Sequence, residues 1–156
     1  MVTYSNQADD PGDPYDLGRF VAAQEADYAR ALSEIRRGRK QSHWMWYIFP
    51  QLAGLGQSSM SRRYSIRSIE EARAYLEHPV LGPRLVECMQ AVVAVDGRSA
   101  REIFGSPDDV KLRSCATLFA CAAPASRVFR GLLDKYFEGI PDRRTLDLLG
   151  IESLAG

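Results

Sequence analysis

The chain has no excess of either charge. Twenty basic and twenty acidic side chains leave a formal net charge of zero over 156 residues. That balance argues against general electrostatic attraction to nucleic acid or to a membrane surface, and leaves room only for a local patch. Histidine is scarce, with only His43 and His78. Neither belongs to an H-x-x-x-H or E-x-x-H spacing, and no cysteines are paired, so no metal site is expected. Cys88, Cys115 and Cys121 sit in apolar surroundings and read as reduced, buried thiols of a cytosolic protein. There is no G-x-G-x-x-G and no P-loop, and no cofactor is expected. Gly54-Leu55-Gly56-Gln57-Ser58 reads as a flexible turn. No apolar run approaches the ~18 residues of a membrane span. The polar, acidic start from Met1 to Asp10 lacks the basic and apolar regions of a signal peptide. The expected location is cytoplasmic, without membrane association. No segment alternates apolar and polar residues long enough to make a strand.

Helical periodicity is what the chain has instead. Apolar content of 46% suffices for a core, and the length fits one domain. Residues 1–14 end in a series of breakers, Asp9-Asp10-Pro11-Gly12-Asp13-Pro14, and read as a disordered lead to a single helical domain over 15–152. Leu17, Phe20, Val21, Gln24, Tyr28, Leu32 and Ile35 recur in steps of three and four, with a kink near Gln24-Glu25 left open and Gly38 as the C-cap. Ser68-Ile69-Glu70-Glu71 and Ser99-Ala100-Arg101-Glu102 are capping boxes. Ser106-Pro107-Asp108-Asp109 predicts an N-cap at Ser106, opening a helix that becomes apolar nearly all round by Leu118-Phe119-Ala120-Cys121 and belongs at the centre. Val128 to Phe137 and a short helix capped by Asp142 follow. The expected fold is all-α, a single irregular globular domain of about seven helices, several of them short.

The most unusual stretch is Ser42-His43-Trp44-Met45-Trp46-Tyr47-Ile48-Phe49-Pro50-Gln51, led by the basic run Arg36-Arg37-Gly38-Arg39-Lys40. It holds both tryptophans. Consecutive large apolar residues spread around a helix at 3.6 residues per turn, so neighbouring elements must wrap them. At least one Trp should be almost wholly buried. Cations beside indoles could hold an anion attached to a planar ring. A ligand site is therefore expected from Lys40, His43, Trp44, Trp46 and Gln51, with Lys111 and Arg113 opposite, and with Glu34, Glu102, Asp108 and Asp109 as salt-bridge partners for the cations. The corresponding function is binding of, or action on, a small phosphorylated or nucleotide-like planar ligand. The alternative is a non-enzymatic helical module that docks a protein partner, with the aromatic run as core. A concave site with convergent polar groups favours the first, and a flat exposed apolar patch the second.

The run from Gly38 through His43-Trp44-Met45-Trp46-Tyr47-Ile48-Phe49-Pro50-Gln51-Leu52 resembles a bacterial family known as domain of unknown function 1810. The similarity continues through Tyr64-Ser65-Ile66, Glu71 to Leu76 and His78-Pro79-Val80-Leu81-Gly82. It resumes at Ile103-Phe104-Gly105, Asp109 to Leu112, Thr117-Leu118-Phe119 and Leu133 to Phe137, covering about residues 14–150. The resemblance implies an all-helical, single-domain cytosolic fold and no established activity. Some members carry the label calpastatin. Inhibitors of that name are extended and disordered, whereas this composition specifies a packed core.

Overall fold

The computed structural model describes residues 12–154. Among these described residues ten helices run α1 (Gly18–Gln24), α2 (Tyr28–Arg36), α3 (Met45–Ile48), α4 (Ser59–Arg63), α5 (Ile69–Glu77), α6 (Leu81–Val93), α7 (Ala100–Phe104), α8 (Asp108–Ala122), α9 (Arg127–Phe137) and α10 (Arg143–Leu149). Seven of them are seven residues or longer. Among the described residues there is no strand. A parallel bridge ties Leu52 to Ile66. Of the lead expected over residues 1–14, residues 1–11 lie outside the described residues. Asp13 is already part of the fold, because its carboxylate accepts from the N–H groups of Leu17 and Gly18.

α8 occupies the centre, packed against α5, α7, α9 and α10. Leu112, Cys115, Ala116, Leu118 and Phe119 are fully buried on it. Its buried polar residues are spent on the backbone. Ser114 and Thr117 donate to carbonyls one turn back, and Thr117 Oγ1 also accepts from the N–H of Asp142, which fastens the start of α10 to α8. α9 lays Phe129, Leu132 and Leu133 onto α8, and α6 packs against α2, α5 and α9. Cys88 and Cys115 are free and buried, Cys121 free and half-buried. Burial pushes the Cys88 thiol up to about 12, so it is an unreactive packing group.

The chain ends its elements largely where its residue types require. The region from Leu17 to Arg36 divides at Glu25–Asp27 into α1 and α2. Gly38 has φ 74°, its N–H bonds to the Ile35 carbonyl, and the N–H of Arg39 bonds to that of Glu34. This is the paired hydrogen-bond pattern of a Schellman cap. Ser99 and Glu102 cap α7 reciprocally. At α5 only half of the expected box forms. Ser68 Oγ accepts from the Glu71 N–H, but the Glu71 carboxylate turns to Arg19 and to the N–H of Arg67.

Ser106 is a correction. α8 begins at Asp108 with Pro107 at the cap position and no side-chain cap bond. The Ser106–Pro107 peptide is cis, and Ser106 stands exposed outside the helix. The carbonyls of Gly105 and Pro107, in place of a serine oxygen, take the N–H groups of Asp109, Val110 and Lys111. No helix among the described residues is long and apolar enough to cross a membrane.

Candidate functional site

The aromatic run forms α3 and its flanks, and it is wrapped on most sides. Trp44 is fully buried, with Phe49 and Phe104 against its ring. Its indole N–H donates to Glu34 Oε1 at 2.9 Å. Glu34 is itself buried and collects three further donors: the N–H groups of Gln41 and Ser42 and the Ser42 hydroxyl. Burial alone raises a carboxyl pKa. Here the hydrogen bonds from Ser42, Gln41 and Trp44 outweigh it and hold Glu34 at about 2. Glu34 thus anchors the loop that delivers the aromatic run.

Lys40 lies over the Trp44 ring, 5.0 Å from its centroid, and pairs with Asp108 Oδ2 at 2.9 Å. It also donates to the Ser42 carbonyl. Lys111 pairs with Asp108 Oδ1 at 3.2 Å and covers the half-buried Trp46 ring at 5.1 Å. Asp108 is therefore shared by two lysines, each stacked on a tryptophan. Arg113 points elsewhere, donating to the Ile140 carbonyl and lying over Phe137. The other two acids expected as salt-bridge partners go to backbone. Glu102 accepts from the N–H of Ser99, and Asp109 from that of Val110. His43 is exposed. The fold brings Lys40, Trp44, Trp46 and Lys111 together, but as mutually satisfied partners, and Trp44 presents no face to a ligand. Trp46 and Gln51 do line a cavity, with Ser61, Arg62, Tyr64 and Ser65, of about 110 Å³. That falls below the ~300–1,000 Å³ of small-molecule sites.

A cleft of about 880 Å³ opens on the other side of Arg62 and Tyr64, which wall both cavities. α1, the C-terminal end of α4 and the start of α5 frame it. Its charged lining is Arg19, Arg62, Arg63 and Arg67 against Asp16 and Glu71. Arg19 is the structural member. Its Nε donates to the Arg63 carbonyl, Nη1 to those of Tyr15 and Asp16, and Nη2 to the Ser65 carbonyl and to Glu71 Oε2. All five N–H groups of the guanidinium are used. Its side chain and that of Glu71 are 12% and 3% exposed. The guanidinium of Arg63 lies over the Tyr64 ring. Arg62 and Arg67 are exposed, and none of the three has a carboxylate partner among the described residues.

The family described as Protein of unknown function (DUF1810) matches residues 14–149. The chain belongs to the DUF1810 family. No curated protein matches it in sequence. Its fold is similar to the crystal structure of the conserved hypothetical protein Rv1873 from Mycobacterium tuberculosis, with 56% identity and a TM-score of 0.88. The similarity covers 90% of this chain and 100% of the other. In this DUF1810 chain the arginine cleft is the feature that motif reading passes over. A signal for it exists: from Ser58 to Ile69 the sequence carries Arg62, Arg63 and Arg67 with Tyr64, several serines and no acid. Helix α4, capped by Ser58, lies in that stretch.

Proposed function

We propose that this protein binds a small phosphorylated ligand, of the nucleotide-like class, in the arginine cleft. The observation that supports the reading is the convergence of Arg62, Arg63 and Arg67, none paired with an acid, on a cavity of about 880 Å³. A guanidinium is a planar fork of donors that fits phosphate oxygens two at a time. One exposed arginine binds phosphate weakly, whereas several around one concavity add. Tyr15, 36% exposed on the rim, offers an aromatic face for a planar group. The lining contains neither histidine nor cysteine, and Ser68 is occupied as the cap of α5. The reading is therefore one of binding, with no nucleophile and base assigned. Trp46 and Gln51 line the smaller cavity that shares Arg62 with the cleft.

Calorimetric titration with pyrophosphate and with adenosine monophosphate tests this. Both should bind the wild-type protein, and the double variant Arg62→Ala/Arg67→Ala should lose roughly tenfold or more in affinity while keeping its melting temperature. Lys111→Ala and His43→Ala should bind as the wild type does. If neither probe binds at millimolar concentration, the proposal fails. If Lys111→Ala loses binding and the arginine variant does not, the site lies at the aromatic run instead.

A further inference from the structure

We infer that the ligand of the cleft carries a hydrogen-bond donor, a hydroxyl or an ammonium group, beside its phosphate, and that the Asp16 carboxylate receives it. The inference rests on the reading of the cleft as a phosphate-ester site. Asp16 lines the cleft, and its Oδ1 is buried with no hydrogen-bond partner. Among the described residues it is the only buried side-chain N or O atom in that position. Folded proteins satisfy nearly all such atoms, and a buried carboxylate oxygen without a donor is costly to keep.

The neighbouring groups on its own segment have nothing left to give. Arg19, three residues on, uses all five of its N–H groups, one of them on the Asp16 backbone carbonyl and none on its carboxylate. Asp13, the neighbouring acid, already accepts from Leu17 and Gly18. The backbone does not require an acid here either. Asp16 has φ 52°, in the left-handed region where glycine sits without strain. A carboxylate is thus held, at some conformational cost, with no donor from its own segment to complete its hydrogen bonds. A free metal or amine would meet four arginines in the same lining, against two acids. The donor therefore arrives on a molecule whose phosphate those arginines attract.

Three matched phosphomonoesters test the inference: ethyl phosphate, with no additional donor, glycerol 1-phosphate, with hydroxyls, and phosphoethanolamine, with an ammonium. Wild-type protein should prefer at least one of the donor-bearing esters to ethyl phosphate by roughly tenfold. Asp16→Gly keeps the backbone unstrained and removes the acceptor. It should erase that preference, so that the three esters bind alike. Asp16→Asn, which tolerates the same backbone, should weaken phosphoethanolamine most. Equal affinity for all three esters in the wild type overturns the role of Asp16 while leaving the arginine cleft standing. Absence of binding by any of them removes the phosphate site, and this inference with it.

Discussion

Glu34 shows how a single charged side chain can organise an apolar neighbourhood. Its four hydrogen-bond donors come from the loop and indole of the aromatic run, so the carboxylate is stabilised in its ionised form. Its pKa is lowered from 4.5 to about 2. A depressed carboxyl pKa contributes stability that is complete above the unfolded value and is lost as pH falls through the folded one. The window here runs from about 4.5 down to about 2. Glu34→Gln should cost on the order of 3 kcal/mol at pH 7, and the gap to wild type should narrow steadily below pH 4.5. Urea unfolding across that range measures it, and a gap independent of pH would contradict the assignment. His78 is a second single-residue device. Its Nδ1 accepts from the N–H groups of Val80 and Leu81, which ties the end of α5 to the entry of α6. His78→Ala should therefore destabilise by ~0.5–2 kcal/mol in the same assay.

At the level of elements, the helix ends separate side chains that cap from side chains that only resemble caps. Ser99 accepts from the N–H of Glu102, and Glu102 returns the bond. Ser99→Ala should lower stability by ~0.5–2 kcal/mol. Ser106→Ala, at an exposed residue without a cap bond, should change it by no more than ~0.5 kcal/mol. The contrast can be read from two denaturation curves. Gly82 governs how closely α5 and α6 join. A Cβ placed there would lie 2.0 Å from the Leu76 carbonyl oxygen, a backbone atom that cannot swing aside. Gly82→Ala should cost about 1–3 kcal/mol through a shifted α5–α6 junction. An unchanged midpoint would show that the junction relaxes freely.

For the whole molecule, two polar side chains bind distant parts of the chain together. Gln24, on α1, donates to the Tyr47 carbonyl and to the Tyr75 hydroxyl and accepts from Arg84, which joins α1, α3, α5 and α6 in the interior. Arg19 does the same at the cleft wall, spanning the segments at residues 15–16, 63–65 and 71. Arg19→Ala leaves Glu71 buried without its cation and should cost about 3–5 kcal/mol. Arg19→Lys keeps the charge but offers three donors where five are used, so an intermediate loss of ~1–3 kcal/mol is expected. Because Arg19 bonds the carbonyls of Arg63 and Ser65, both variants should also weaken pyrophosphate binding. Denaturation and titration of the same samples would check both effects.

Local chemistry, written into the sequence, determined the helical class, the caps at Gly38, Ser99 and Asp142 and the central place of α8. Each depends on residues within one or two turns of each other: periodicity, a serine or aspartate oxygen near a free N–H, a glycine at a left-handed position. The burial of Trp44 follows from the same reasoning, because a short helix of large apolar residues has no solvent side. Only the tertiary structure decided which cations are free. Lys40 and Lys111 stand near Trp44 and Trp46 as the sequence suggests, but both spend their charge on Asp108. Arg62, Arg63 and Arg67 look like ordinary surface residues in the sequence, and they become a candidate site because α1 and α5 raise a wall opposite them. Whether a charge is paired or available depends on which side chains fold up against it from tens of residues away, and no local pattern carries that information.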